Sequence, residues 1–185
     1  DYDNDGWMDL LLINGSTLER LREGSSPPAQ LFRNRGDGSF EDVTGKAGID
    51  FRGWGMGVAV GDYDNDGWPD VYITHLQGGR LYRNQGNGTF QDVTREAGVD
   101  NRGRWGTSAA FGDYDNDGDL DVFISAVGPQ ILLENRLVPE GKLRFLDVSL
   151  QAGVAVQAMG FSAVAGDVNG DGYPDIYVAS YNHYG

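Results

Sequence analysis

The chain lacks cysteine altogether, and its 185 residues include only six prolines, two histidines and 14 basic residues. The absence of cysteine excludes disulfides, so in an oxidising compartment metal ions would have to supply the cross-links. No apolar run approaches the roughly 18 residues that a membrane-spanning helix needs. The 14 basic residues are outnumbered by 28 acidic ones, giving a net charge of −14. This balance argues against nucleic acid as a partner, because nucleic acid calls for a basic face.

The acidic residues are concentrated in a nine-residue pattern that begins at residues 1, 62, 113 and 167. In the copy that runs from 62 to 70, acidic side chains stand at positions 1, 3, 5 and 9, and Gly67 stands at position 6. Like charges this close repel one another, each pair costing about 4 kcal/mol at ~4 Å and an effective dielectric of 20. Calcium relieves this repulsion because it takes six to eight oxygen ligands. The pattern therefore predicts about four calcium ions, one in each loop.

The predicted ligands are the side chains at positions 1, 3, 5 and 9 and the backbone carbonyl at position 7 of each loop. The side-chain ligands are Asp1, Asp3, Asp5, Asp9, Asp62, Asp64, Asp66, Asp70, Asp113, Asp115, Asp117, Asp121, Asp167, Asn169, Asp171 and Asp175. The carbonyl ligands are Trp7, Trp68, Asp119 and Tyr173. The fourth loop departs from the others, since asparagine replaces aspartate at its third position.

These loops are not EF-hands. An EF-hand needs a bidentate glutamate at position 12 and a helix after the loop. Position 12 is apolar in every copy: Leu12, Ile73, Ile124 and Val178. β-Branched and aromatic runs follow the loops, and such runs favour strands.

The loops divide the chain into repeats, and each full repeat contains four predicted strands. In the second repeat these are Gly55–Gly61, Val71–Thr74, Leu81–Asn84 and Phe90–Thr94. Loop starts at 1, 62, 113 and 167 give periods near 50–60 residues, which together with four short strands are typical of a β-propeller blade. We predict one all-β segment over residues 1–185, with a partial blade 1–50, blades 51–101 and 102–155, and a partial blade 156–185.

Outside the loops, few residues suggest chemistry. An insertion at Thr17–Gln30 is predicted to lie on one face of the fold, with Leu18–Arg22 forming one or two helical turns. His75 and His183 have no partner at zinc-ligand spacing, so we predict surface histidines. No nucleophile elbow, phosphate-binding loop or His-Glu-x-x-His motif is present, so no enzymatic activity is predicted for the chain itself.

Two sequence motifs resemble a known family. Gly-x-x-x-Ala-x-Gly-Asp-x-(Asp/Asn)-x-Asp-Gly-x-x-Asp, followed by an apolar strand, resembles the FG-GAP or VCBS repeat of integrin α-type propellers. Leu-(Phe/Tyr)-Arg-Asn, with the later Gly-x-Phe-x-Asp-Val-Thr and Ala-Gly-(Ile/Val), resembles the subgroup of cartilage acidic protein and ASPIC/UnbV proteins. The resemblance implies blades of four antiparallel strands, part of a seven-bladed propeller, with calcium between the first and second strands.

On this resemblance we expect a calcium-binding scaffold for adhesion or interaction that is secreted, periplasmic or on the cell surface. A protein or carbohydrate ligand would bind on a propeller face. The chain contains two complete units and parts of two more, so we expect a piece of a longer protein. Two alternatives stay open: the propeller could belong to a larger secreted hydrolase or lyase, or the chain could assemble with itself through open sheet edges into a surface fibre.

Overall fold

A computed structural model describes residues 1–101 and 103–181 of the chain. Strands account for 44% of it and helices for 9%, which confirms the predicted all-β class. The strands are β1 (Leu10–Leu12), β2 (Gln30–Asn34), β3 (Phe40–Asp42), β4 (Gly55–Gly61), β5 (Asp70–His75), β6 (Gly78–Asn84), β7 (Phe90–Asp92), β8 (Trp105–Gly112), β9 (Asp121–Pro129), β10 (Ile131–Asn135), β11 (Phe145–Asp147), β12 (Gln157–Gly166) and β13 (Asp175–Tyr181). The short helices are α1 (Leu18–Glu23), α2 (Thr44–Ala47), α3 (Thr94–Ala97) and α4 (Leu137–Glu140).

The strands form antiparallel sheets in which neighbours along the chain pair with one another. The second unit is a complete blade in the order β4-β5-β6-β7, and the first unit forms a sheet of β1-β2-β3. In the third unit, β8, β9, β10 and β11 pair in the same succession. The four-strand antiparallel blade is therefore confirmed, although the described residues form no closed ring.

The third and fourth units share one sheet, which the sequence did not suggest. Strand β9 runs on to Pro129, and its last residues pair with the start of β12, with Val127 opposite Met159. Gln130 stabilises the end of β9, because its side chain accepts the N–H of Ala126 and donates to the carbonyls of Ala126 and Gly128 at 3.0–3.1 Å.

The fourth strand of each unit ends two residues earlier than predicted, because an Asp-Val-Thr/Ser motif turns the chain. In the second unit, Asp92 accepts the N–H of Thr94 at 3.0 Å, and the Thr94 hydroxyl accepts the N–H of Leu81 at 3.0 Å. The Thr94 hydroxyl thus replaces a backbone carbonyl of β7 as the partner of the Leu81 N–H on β6. Strand β7 therefore ends at Asp92, and α3 begins at Thr94. Thr44 and Ser149 accept from the third strands of their own units in the same way.

The core lies between successive sheets rather than within one of them. The alternating residues of β5 show this arrangement, since Val71 and Ile73 pack toward the first sheet and Tyr72 packs toward the third. All three side chains are at most 5% exposed. A strand covered on both faces explains the continuous apolar run after the loop.

The innermost strands approach their neighbours closely because they are rich in glycine. A Cβ atom on Gly106 would lie 3.1 Å from the Cβ of Thr74, and one on Gly160 would lie 2.0 Å from Ser125 Oγ. Between β8 and β12, the buried Thr107 hydroxyl donates to the Gly160 carbonyl at 2.7 Å. Small residues therefore set the spacing at the inner edges of the sheets.

The insertion of the first unit contains the predicted helical turns. Thr17 caps α1 by accepting the N–H of Arg20 at 3.2 Å, and Gly24 ends the helix at φ +68°. No side chain of α1 is buried.

Candidate metal centre

The four acidic loops occupy equivalent places in the fold. Loop 2 (62–70) joins β4 to β5, loop 3 (113–121) joins β8 to β9, and loop 4 (167–175) joins β12 to β13. Loop 1 (1–9) leads into β1. Neighbouring loops lie side by side, since hydrogen bonds connect each to the next.

The first aspartate of each loop organises the turn. In loop 2, the Asp62 carboxylate accepts the N–H of Asp66 at 3.0 Å and the N–H of Gly67 at 2.8 Å. The same two contacts recur in the other loops at 2.9–3.2 Å. Gly67 has φ +88°, a conformation that explains glycine at position 6. Asp66 in turn accepts the N–H of Trp68 at 3.0 Å.

Acidic side chains converge in three of the loops. Carboxylate oxygens lie within 4.8 Å of one another in three groups: Asp1 with Asp3 and Asp5, Asp62 with Asp64 and Asp66, and Asp113 with Asp115 and Asp121. Within the described ranges, loop 4 has no such acidic group. There Asn169 accepts the N–H of Asp171 at 2.9 Å and donates to its carboxylate at 3.0 Å.

Several of these carboxylates have buried oxygen atoms that accept no hydrogen bond in the described part of the chain. They are Asp3 Oδ1, both oxygens of Asp64, Asp117 Oδ2 and Asp119 Oδ1. The Asp64 side chain is only 1% exposed. A buried carboxylate that accepts no hydrogen bond is costly to ionise, and hard divalent cations prefer oxygen ligands. The residues of loop 2 therefore fit such a cation.

The electrostatics of loop 2 agree with this fit. Burial raises the pKa of Asp64, the nearby Asp66 and Asp62 carboxylates raise it further, and Arg83 opposes them. Burial likewise raises the pKa of Asp115 in loop 3. Without a cation, the folded chain disfavours the ionised form of both groups.

The ninth-position aspartates, predicted as ligands, also hold backbone groups. Asp70 is fully buried and accepts the N–H of Tyr63 at 3.1 Å and of Asn84 at 2.7 Å. Burial raises the pKa of Asp70 to about 7. Asp9, Asp121 and Asp175 accept the second-position N–H of their own loops in the same way. Asp9 and Asp70 lie outside the close groups of three, whereas Asp121 belongs to one.

Sequence reasoning missed the asparagine that ends each third strand. Asn84 donates its backbone N–H to Asp70, and its side chain donates to the Pro69 carbonyl at 3.2 Å and to the Tyr2 carbonyl of loop 1 at 2.7 Å. Asn135 repeats this arrangement, with its side chain 2.8 Å from the Tyr63 carbonyl of loop 2. The recurring Arg-Asn and Glu-Asn endings of the third strands were the available signal.

Arg83 is a second residue that was missed. Its Nε lies 2.6 Å from Asp64 Oδ2, and its Nη2 lies 3.4 Å from Asp66 Oδ2. The Nε–H does not point along the hydrogen-bond direction, so its contact with Asp64 is an ion pair only. Arg83 thus neutralises part of the charge in loop 2.

The seventh-position residues, predicted to offer carbonyls, differ in what their side chains contact. Trp68 covers the turn between β6 and β7 so closely that a Cβ atom on Gly86 would lie 2.7 Å from its Nε1. Trp7 packs on Gly36 in the same way. In loop 3 the turn is replaced by α4, and the Asp119 carboxylate instead accepts the N–H of Val138 at 2.7 Å. Tyr173 in loop 4 is exposed.

The prediction of surface histidines is wrong for His75. Its ring is half-buried at the end of β5, with its centroid 5.3 Å from that of Phe51. Burial lowers its pKa to about 4. His183 lies outside the described residues.

Comparisons with known proteins agree with these repeats. The family model described as FG-GAP-like repeat matches residues 1–73 and 62–124, and the FG-GAP repeat model matches 159–185. Cartilage acidic protein 1 of Xenopus tropicalis is 27% identical over 176 residues, and that of Homo sapiens is 28% identical over 176 residues. Each match covers 91% of this chain but only 27% of the relative. No described helix is long and apolar enough to cross a membrane.

Proposed function

The chain belongs to the FG-GAP-like repeat family, and from this premise we propose that it is a calcium-binding segment of an extracellular β-propeller that serves as a scaffold for adhesion or interaction. The proposed ligands are the loop residues given above, with a bound ion in each of the four loops. Bound calcium would supply positive charge and oxygen coordination, which lower the repulsion among the loop carboxylates. The chain's own part is to hold these carboxylates in place through the backbone contacts of the first and fifth positions.

The observation that carries this proposal is the state of Asp64. Its side chain is 1% exposed, yet neither of its oxygens accepts a hydrogen bond. Arg83 offsets one charge, but the group also includes Asp62 and Asp66 within 4.8 Å. A loop that only formed a solvated turn would have no reason to bury a carboxylate in this way.

An extracellular location is supported by the repeat family and by the relatives. The chain has no cysteine, so bound ions would take the role that disulfides have in many secreted domains. The relatives are named for cartilage and for acidity, and this chain is acidic as well. A role as a binding scaffold is favoured over catalysis because most loop carboxylates already hold backbone N–H groups or converge with other carboxylates. A catalytic domain elsewhere in a longer protein remains compatible with this role.

Exposed apolar side chains on the last two strands favour a second candidate, self-assembly. Phe161 is 50% exposed, Val164 59% and Tyr177 70%. Such a surface can pack against another sheet. Light scattering over a range of protein concentrations, in calcium and in chelator, tests this candidate. An assembly held together by these strands would grow as the protein concentration rises.

The proposed function is tested by calorimetric titration of the chelator-treated chain with calcium, and by thermal unfolding with and without calcium. We expect about four bound ions and a higher melting temperature in calcium. Asp66→Ala should lower the melting temperature in calcium much more than in chelator. The matched control is Asp37→Ala, because Asp37 also accepts the N–H two residues ahead, at 2.9 Å, but lies outside the loops. Absence of calcium binding by the wild-type chain would refute the proposal.

A further inference from the structure

The fourth residue of each of the first three loops links that loop to the next one along the chain. Asn4 donates its side-chain N–H to the Gly67 carbonyl at 3.1 Å, Asn65 donates to Gly118 at 3.0 Å, and Asn116 donates to Gly172 at 2.9 Å. These contacts cross 53 to 63 residues of sequence and nevertheless have nearly the same length. In each case the acceptor is the sixth-position glycine of the following loop.

The accepting carbonyl belongs to a peptide group that also holds a proposed ligand. At the junction of loops 2 and 3, Asn65 binds the carbonyl of the peptide between Gly118 and Asp119. The N–H of that same peptide donates to Asp117 Oδ1 at 3.1 Å. The orientation of this peptide therefore depends on loop 2 at one end and on a ligand carboxylate of loop 3 at the other.

The donating asparagine is in turn fixed by the ligands of its own loop. Asn65 has φ +57°, and the N–H that follows it, of Asp66, donates to Asp62 Oδ1 at 3.0 Å. Ordering of Asp62 and Asp66 around an ion would therefore also set the direction of the Asn65 side chain. A second bond crosses the same junction, from Asn135 of the third unit to the Tyr63 carbonyl at 2.8 Å.

We propose that the fourth-position asparagines are positioning residues that couple neighbouring metal loops, so that calcium binding in one loop raises the calcium affinity of the next. This inference rests on the proposed calcium function. The coupling is reciprocal, since a contact that favours the ordered form of both loops strengthens both sites equally. In loop 4 the fourth residue is Gly170, which has φ +77° but no side chain to donate, so the described series stops there.

Gly170 also suggests the variant for the test. Asn65→Gly keeps a residue that tolerates positive φ and removes the side-chain contact, at the cost of some added backbone freedom that the control variant shares. Loop 3 is disabled separately with Asp115→Ala, whose side chain is exposed. The amide NMR signal of Gly67, which reports on loop 2, follows the calcium titrations. They are carried out on the wild type and on three variants: Asn65→Gly, Asp115→Ala and both together. The control is Asn101→Gly, because Asn101 also has positive φ and donates one side-chain hydrogen bond, to the Tyr72 hydroxyl, away from the loops.

If the loops are coupled, Asp115→Ala weakens calcium binding at loop 2 by about threefold to tenfold, the range expected for one hydrogen bond. In the Asn65→Gly background the same change has no further effect on loop 2. An Asn65→Gly effect on loop 2 that is equally large when loop 3 is disabled would overturn the inference, because Asn65 would then act only within its own loop. Unchanged affinity in every variant would overturn it as well. Absence of binding in the wild type would refute the proposed function and the coupling together, whereas the other two outcomes leave the calcium function standing.

Discussion

Replacing Asp64 with asparagine separates metal binding from folding, because the change keeps the side-chain shape and breaks no hydrogen bond in the described structure. With its two neighbours within 4.8 Å, each like-charge pair costs about 3.5 kcal/mol at an effective dielectric of 20. Neutralising Asp64 therefore removes about 7 kcal/mol of repulsion. It also removes the attraction to Arg83 at 2.6 Å, about 6 kcal/mol on the same scale. Burial also disfavours the Asp64 charge, and the pKa of Asp64 is raised in spite of Arg83, so in chelator Asp64→Asn should leave the free energy of unfolding unchanged or slightly higher.

In calcium the balance is different, because the ion attracts a carboxylate more strongly than an amide. A tenfold weaker site lowers the free energy of unfolding at saturating calcium by about 1.4 kcal/mol. The melting temperature should then fall by about 3–6 °C. Urea unfolding and calorimetry of Asp64→Asn, each in excess calcium and in excess chelator, measure this difference. Glu19→Gln, which removes the same charge from exposed helix α1, is the control. Equal losses in both conditions, or no loss in calcium, would show that Asp64 does not bind an ion.

Three further predictions concern residues outside the ligand set. Gly86→Ala should lower the free energy of unfolding in urea by about 1–3 kcal/mol, because residue 86 has φ +66° and the new Cβ would clash with Trp68. Gly88→Ala, at φ +82° with open space around it, should lower the free energy of unfolding less, and equal losses in the two variants would exclude the clash. Burial holds the pKa of His75 at about 4 in the folded chain, below the ~6.5 of the unfolded chain. Between these two values the unfolded chain binds a proton that the folded chain does not, so the free energy of unfolding falls as the pH drops from about 6.5 toward 4. His75→Gln should remove this part of the pH dependence at fixed calcium, and parallel profiles of the two proteins would contradict it. Tyr72→Phe should lower the free energy of unfolding by about 1–3 kcal/mol in thermal unfolding, since the buried hydroxyl donates to the Val99 carbonyl at 3.1 Å and accepts from the Asn101 side chain at 2.7 Å. A neutral effect would mean that water replaces both partners.

The sequence predicted those features that arise from short segments. The loops and the second strands could be read directly, because the spacing of aspartates and the β-branched runs such as Val71–Thr74 are local patterns. The fourth strands were overestimated because the side chain that ends them, Thr94, contacts Leu81 on another strand. The local pattern gives the residue type at that place but not the partner that stops the ladder.

The missed site residues share a different cause. Asn84 and Arg83 reach loop 2 from β6, and Asn84 also reaches loop 1, 82 residues away. Contacts across this separation depend on how the sheets stack, which no local period encodes. The structural role of Asp70 was also not evident from the sequence, because a buried acceptor of two backbone N–H groups and a predicted metal ligand have the same side chain.

The glycines of the innermost strands have a consequence for how closely the described units approach one another. Gly106 lets the second and third sheets approach closely and Gly160 lets β12 approach β9 within their shared sheet, while the aromatic side chains of Tyr72 and Phe123 are buried. At the junction of the second and third sheets this close approach depends on two glycines, since a Cβ atom on Gly57 would also lie 2.9 Å from the Thr107 carbonyl oxygen. Adding a methyl group at Gly57 or Gly106 would therefore push the second and third sheets apart. Evolution could thus change the spacing of successive sheets at these inner strands and leave the acidic loops untouched.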